Sequence, residues 1–113
     1  MSDILLVDDD PLVTRALARL LQSAHSVRVA LSEEAALAAI GERAPDVIVS
    51  DYMLGTTTAM NLLRKVRSLW PGIRIVLYSG SLPESWDALV KDGTVDVVLR
   101  KPCSVEELRR AVA

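Results

Sequence analysis

The sequence predicts an α/β fold in which a five-stranded parallel sheet is covered by helices on both faces. Five short apolar runs alternate with five stretches whose apolar residues recur at helical spacing. The first and third runs are continuous rather than alternating in polarity, which is typical of parallel strands buried on both faces. Strands that alternate with helices in this way are joined by right-handed crossovers.

The five predicted strands lie at residues 4–7, 27–31, 47–49, 73–78 and 95–99. The third is a run of β-branched residues between Pro45 and Ser50, which is typical of a central strand. The fifth is interrupted only by Asp96. The second is the weakest of the five.

Each predicted helix has a start signal in the sequence. In chain order these signals are Asp10 before Pro11, Ser32, the turn at residues 55–58, Pro83, and Ser104 with Glu107 as a capping box. Leu12 and Leu20 are predicted to belong to the apolar stripe of the first helix. Val90 is predicted to face inward from the fourth helix together with Trp86 and Leu89.

The whole chain limits the classes of function. Its 113 residues predict a single domain, residues 1–113, and the formal net charge of −2 gives no global attraction to nucleic acid or to an anionic membrane. One cysteine excludes an internal disulfide and suits a reducing compartment. Because no apolar run approaches the ~20 residues of a bilayer span, we expect a cytoplasmic protein.

Polar side chains follow four of the five predicted strands. Asp8 and Asp9 follow the first, Asp51 the third, Ser79 ends the fourth, and Lys101 follows the fifth. Because the carboxyl ends of parallel strands meet at one edge of a sheet, we expect these groups to converge there. An aspartate can also simply end a strand, but four such endings together favour a functional site.

Three carboxylates in one cleft repel one another. Two like charges ~4 Å apart repel by about 4 kcal/mol at an effective dielectric constant of about 20, and one lysine cannot offset three acids. Either some pKa values rise or a hard cation lies among the carboxylates. The oxygen ligands suit Mg²⁺, and no Cys/His cluster suggests zinc. A carboxylate such as Asp51, beside Mg²⁺ and a lysine, is also a candidate nucleophile towards phosphorus.

Four segments carry these groups: Ile4-Leu-Leu-Val-Asp8-Asp9-Asp10-Pro11, Asp46-Val-Ile-Val-Ser-Asp51-Tyr-Met-Leu54, Leu77-Tyr-Ser79-Gly80 and Leu99-Arg-Lys101-Pro102. In this order and spacing they resemble the receiver domain of bacterial two-component response regulators over essentially the whole chain. The resemblance implies a doubly wound, flavodoxin-like fold with strand order 2-1-3-4-5 and five flanking helices.

The resemblance also implies roles for the site residues. Asp51 is the expected phosphoacceptor, and Ser79 and Lys101 are expected to contact the phosphoryl group. The expected ligands of Mg²⁺ are Asp8, Asp9, Asp51 and the backbone carbonyl of Met53. The bond between Lys101 and Pro102 is expected to be cis.

Three positions depart from the family pattern. Gly55 stands where the family usually has proline, and Ala59 stands where it has glycine. Val98 replaces the usual tyrosine or phenylalanine that swings inward on activation. Without this aromatic side chain, we expect the signal to leave the site through residues 79–83 and the helix that carries Trp86.

The resemblance implies that the phosphoryl group comes from a sensor histidine kinase or a histidine phosphotransfer protein. The responding partner is an unidentified output domain or effector protein, and a homodimer is compatible with the family. The domain itself is expected to contact neither nucleic acid nor a membrane and not to be a turnover enzyme. Two alternatives stay open: a phosphate-independent docking module, which Val98 favours, and an Asp-nucleophile phosphohydrolase, which the third-strand position of Asp51 disfavours.

Overall fold

The computed structural model describes residues 2–113, in which seven strands and five helices are formed. The strands are β1 (Asp3–Val7), β2 (Ser26–Ala30), β3 (Val47–Ser50), β4 (Met53–Leu54), β5 (Thr57–Thr58), β6 (Arg74–Ser79) and β7 (Val97–Arg100). The helices are α1 (Pro11–Leu21), α2 (Glu33–Glu42), α3 (Met60–Leu69), α4 (Trp86–Lys91) and α5 (Val105–Val112). No helix within these residues is long and apolar enough to cross a membrane.

Five strands form one parallel sheet in the order β2-β1-β3-β6-β7. Because β6 and β7 are its fourth and fifth strands along the chain, the predicted 2-1-3-4-5 order and the flavodoxin-like fold are confirmed. The register sets Leu6 of β1 between Val29 of β2 and Val49 of β3. All five carboxyl ends therefore meet at one edge of the sheet.

Alternation of side chains along the buried strands divides the core into two layers. Leu5 and Ile48 point to the layer formed with α2, α3 and α4, whereas Ile4 and Val49 point to the layer formed with α1 and α5. All four side chains are at most 3% exposed. Burial on both faces explains why the runs at residues 4–7 and 47–49 are continuously apolar.

The predicted helix caps are present. Asp10 accepts a hydrogen bond from the Leu12 amide at 2.9 Å, and Ser32 caps α2 in the same way. Ser104 and Glu107 form the complete capping box at the start of α5. The sequence signals for these three helix starts are therefore sufficient.

Part of the predicted apolar stripe lies outside the core. Leu12 is 71% exposed and Leu20 is 37% exposed, while Leu17 is buried. Leu12 is five residues before Leu17 and so lies about 140° around the helix axis from it. Val90 is 39% exposed because it is one residue, or about 100°, from the buried Leu89.

Three predicted element starts are wrong by more than one residue, those of the fifth strand, the fourth helix and the third helix. The fifth sheet strand begins at Val97 instead of residue 95, because the Val95 amide donates to the Leu89 carbonyl and closes α4 instead of joining the sheet. The fourth helix begins at Trp86, three residues after Pro83.

The turn at residues 55–58 is also different from the prediction. It does not begin a helix; it closes the antiparallel β4–β5 hairpin, in which Gly55 has a φ of +70°. Glycine adopts this left-handed conformation without strain. The third helix therefore starts only at Met60.

Asp96 connects β7 to β6 and α3. Its amide donates to the Ile75 carbonyl at 2.8 Å, and its Oδ2 accepts from the Ile75 amide at 2.8 Å and from Arg67 Nη2 at 2.7 Å. Burial alone would raise the pKa of Asp96, but the hydrogen bonds from Ile75 and Arg67 outweigh burial and hold that pKa below its ordinary value. The ionised carboxylate therefore stabilises the fold.

We expect Asp96→Ala to lower the free energy of unfolding by about 1–3 kcal/mol, because the buried N–H of Ile75 loses its acceptor. Asp96→Asn is the matched control: its amide oxygen still accepts from Ile75, and loss of a partly exposed ion pair costs below about 1 kcal/mol. Urea unfolding measures both, and equal losses in the two variants would contradict this account.

The same group sets a pH dependence. Because the folded pKa of Asp96 is lowered, its contribution is present above the unfolded value of about 3.9 and is lost as the pH falls through the folded value. The difference in stability between wild type and Asp96→Asn should therefore shrink in acid.

Candidate functional site

Carboxylates from two strands meet at the carboxyl edge of the sheet. Asp8 and Asp9 follow β1, and Asp51 follows β3. The Asp51 amide donates to the Val7 carbonyl at 2.9 Å, which extends the pairing of β1 with β3 by one residue. As a result, carboxylate oxygens of Asp8, Asp9 and Asp51 lie within 4.8 Å of one another.

Lys101 brings a positive charge to this cluster from the end of β7. Its Nζ lies 3.2 Å from Asp8 Oδ2 and 3.4 Å from Asp51 Oδ2. Its backbone amide donates to the Ser79 carbonyl at 3.1 Å, and the bond to Pro102 is cis as expected. The lysine thus connects the end of β7 to the ends of β1 and β3, neither of which is next to β7 in the sheet.

Burial and charge act together on the ionisation of the site. Burial raises the pKa of Asp8 above its ordinary value, although the Asp10 amide and Lys101 both oppose that rise. Burial alone would lower the pKa of Lys101, but the charges of Asp51 and Asp8 outweigh it and raise that pKa. Lys101 is therefore fully protonated at neutral pH, and ionised Asp8 is disfavoured by the fold.

The donor set fits a hard divalent cation. Three carboxylates face one ammonium, so the ionised cluster keeps a net negative charge, and oxygen is the ligand type that Mg²⁺ prefers. Asp8, Asp9 and Asp51 are the residues that could hold the ion. Met53 starts β4, and its amide donates to Asp51 Oδ1 at 3.4 Å. Ligation by its carbonyl stays a prediction.

Ser79 lies at the same edge but engages a different partner. It is 2% exposed, and its hydroxyl oxygen accepts a hydrogen bond from the Ser81 amide at 3.2 Å. It pairs in register with Arg100, the residue before Lys101. The structure therefore joins the backbone of Ser79 to the site, while its hydroxyl is bonded within the following loop.

Two groups at the site were not anticipated from the sequence. The Gly55 amide donates to Asp9 Oδ2 at 3.0 Å, and the ring centroid of Tyr78 lies 5.1 Å from Lys101 Nζ. The replacement of proline by Gly55 was a usable signal, because proline has no N–H to donate. For the contact of Tyr78 with Lys101, the only signal in the sequence was the position of Tyr78 directly before Ser79.

Comparison with known proteins gives a consistent result. A family model described as the response regulator receiver domain matches residues 4–113. The chain is 30% identical over 108 residues to the probable transcriptional regulatory protein TcrX of Mycobacterium tuberculosis, a match that covers 93% of this chain and 45% of that protein. The chain spans less than half the length of the curated relatives it matches.

Solved structures show the same fold. A CheY-like receiver domain protein from Methanospirillum hungatei JF-1 superposes with a TM-score of 0.91 at 22% identity, over 99% of this chain and 90% of that one. A response regulator from Burkholderia pseudomallei superposes with a TM-score of 0.88 at 26% identity, over 100% of this chain and 67% of that one. The latter structure contains a phosphorylated aspartic acid, a calcium ion and citrate.

We expect Asp8→Asn to raise the melting temperature by a few degrees at neutral pH without added Mg²⁺. Because the folded pKa of Asp8 is raised, its favourable contribution is complete below the unfolded pKa of about 3.9 and is lost as the pH rises through the folded value. Asparagine carries no charge at any pH, so the variant does not lose this stability at neutral pH. Added Mg²⁺ should stabilise the wild type more than the variant.

Asp10→Asn is the matched control for this experiment. Asp10 is exposed and caps α1, and asparagine caps a helix equally well. Thermal melts with and without Mg²⁺ measure both variants. A loss of stability in Asp8→Asn would contradict the unfavourable burial of the Asp8 charge, and a full response of this variant to Mg²⁺ would contradict Asp8 as a ligand of the cation.

Proposed function

The chain belongs to the response regulator receiver domain family, and we infer that it works as a phosphorylation-operated signalling switch. The observation that carries this proposal is the Lys101 ammonium held at 3.2 and 3.4 Å between Asp8 and Asp51 at the carboxyl edge of the sheet. The phosphorylated aspartic acid and calcium ion of the Burkholderia pseudomallei response regulator support an aspartate acceptor and a divalent cation here.

Asp51 is the proposed acceptor of the phosphoryl group. Its side chain is 15% exposed, whereas that of Asp8 is 6% exposed, so a donor reaches Asp51 more readily. One carboxylate oxygen of Asp51 attacks phosphorus as the bond between phosphorus and the donor histidine nitrogen breaks. The electron pair of that bond returns to the imidazole, and an acyl phosphate forms on Asp51.

Neutralisation of charge is the main requirement of this step. Mg²⁺ held by Asp8, Asp9, Asp51 and the Met53 carbonyl would supply positive charge to the carboxylates and phosphoryl oxygens. The Lys101 ammonium already lies 3.4 Å from Asp51 Oδ2. It would therefore need to move only a short way to bind an oxygen of a phosphoryl group on Asp51. The Ser79 hydroxyl, whose oxygen accepts from the Ser81 amide, would donate its O–H to another phosphoryl oxygen.

The proposed partners follow from the chemistry of the donor. A phosphohistidine on a sensor histidine kinase or a histidine phosphotransfer protein supplies the phosphoryl group, and an output domain or effector protein responds. The chain is proposed to be a switch rather than a turnover enzyme. Its single cysteine suits a reducing compartment, which supports a cytoplasmic location.

A phosphate-independent docking module is the second candidate, and Val98 is the observation that favours it. Val98 is half-buried and packs against the core layer formed with α2, α3 and α4. No aromatic ring is therefore available at this position to move when the site is phosphorylated. The acidic cluster and Lys101 would then be structural.

Incubation with acetyl phosphate and Mg²⁺ should add one phosphoryl group to the wild type and none to Asp51→Asn. The reason is that asparagine lacks the nucleophilic carboxylate but keeps its shape. Intact mass measures the addition, and Asp9→Asn tests the need for the cation. An equal gain of mass in Asp51→Asn would rule out Asp51 as the acceptor.

Lys101→Ala should still accept the phosphoryl group, although more slowly. Phosphorylation of this variant should no longer produce a structural response away from the site. We expect phosphorylation to change hydrogen exchange at residues 79–100 in the wild type and not in this variant, because the ammonium that follows the phosphoryl oxygen is missing. Lys91→Ala, which removes an exposed lysine on α4, is the control. A wild-type exchange change in Lys101→Ala would count against this role.

A further inference from the structure

Besides Asp8 and Asp51, the Lys101 ammonium lies close to the aromatic ring of Tyr78. Tyr78 lies on β6 one residue before Ser79, is half-buried, and packs against the core layer formed with α1 and α5. Its ring centroid is 5.1 Å from Lys101 Nζ. This distance is within the range in which an ammonium is attracted to an aromatic face.

The two hydrogen bonds of the Lys101 ammonium are not sufficient to hold it firmly in place. Within residues 2–113 the ammonium has two hydrogen-bond partners, Asp8 Oδ2 and Asp51 Oδ2, although it carries three N–H donors. Lysine has a long, flexible stem, so two long hydrogen bonds of 3.2 and 3.4 Å fix its head weakly. The ring of Tyr78 supplies a broad surface on which the head rests.

We propose, on the basis of the phosphoryl-transfer function inferred above, that Tyr78 is a positioning residue whose aromatic face holds the Lys101 ammonium between Asp8 and Asp51. During transfer, Lys101 must exchange a carboxylate for a phosphoryl oxygen. A hydrogen bond has to break for that exchange, whereas attraction to the ring face requires only that the ammonium stay over the ring and does not use up one N–H donor. The ring therefore keeps hold of the ammonium while its hydrogen-bond partners change.

The ring face, and not the hydroxyl group, carries this role. Tyr78→Phe should therefore accept the phosphoryl group from acetyl phosphate at nearly the wild-type rate. Tyr78→Leu, which keeps an apolar side chain without a π face, should react roughly threefold to thirtyfold more slowly. Equal rates for Tyr78→Leu and wild type would overturn the proposal.

The absence of phenylalanine elsewhere in the chain permits a sharper comparison. In Tyr78→Phe, the only phenylalanine is at position 78, so expression with 4-fluorophenylalanine changes that ring alone. Fluorine withdraws electron density from the ring face while nearly keeping its shape. The fluorinated protein should react more slowly than Tyr78→Phe, and an unchanged rate would mean that the ring acts only by packing.

A double-mutant cycle identifies the residue through which Tyr78 acts. Tyr78→Leu should have no further effect on the rate when Lys101 is already alanine, because the positioned group is gone. An equal fold loss in both backgrounds would show a general structural effect and would overturn the proposal.

Labelling of Lys101 separates this inference from the proposed function. If the wild type accepts no phosphoryl group, the proposed function fails, but the positioning of Lys101 is still measurable by reductive methylation and peptide mapping. Relative to the exposed Lys91, Lys101 should react faster in Tyr78→Leu than in the wild type or in Tyr78→Phe. Unchanged labelling in Tyr78→Leu would overturn the positioning role even where phosphoryl transfer occurs.

Discussion

Repulsion among three carboxylates is the constraint to which the carboxyl edge of this sheet is adapted. Parallel pairing of β1 with β3 forces Asp8, Asp9 and Asp51 together, with oxygens within 4.8 Å of one another. The fold tolerates this because Lys101 arrives from β7 and because the strands beneath are deeply buried. The stability of the core thus maintains a cluster of charges that is unfavourable by itself and that a bound cation would stabilise.

The sequence predicted the elements whose signals are local and missed those set by tertiary contacts. The apolar runs around Leu5 and Ile48 fixed the sheet, since burial on both faces permits few other residue types. Val95 has the composition of a strand residue, but its amide is taken by the Leu89 carbonyl. The convergence of the acids followed from topology, whereas the contact of Tyr78 with Lys101 depends on a side-chain direction that no spacing rule specifies.

Position 98 departs from the usual family pattern, because valine stands there instead of an aromatic residue. Val98 fills the core beside β6 and has no ring to move. Two residues further on, the Arg100 guanidinium lies 5.3 Å from the ring centroid of Trp86 at the start of α4. Because Arg100 and Lys101 share a peptide bond, the ammonium beside Asp8 and Asp51 and the guanidinium beside Trp86 belong to adjacent residues. A displacement of the Lys101 backbone would therefore also move Arg100.

The hydrogen bond from Gly55 to Asp9 connects the β4–β5 hairpin directly to the acidic cluster. Asp9 Oδ2 accepts from a backbone amide whose direction depends on the left-handed turn at Gly55. A ligand that takes Asp9 Oδ2 away from this amide would remove one of the contacts that hold the turn. If a ligand at Asp9 changes the strength of this hydrogen bond, reciprocity requires that stabilising the hairpin change the affinity for that ligand by the same free energy.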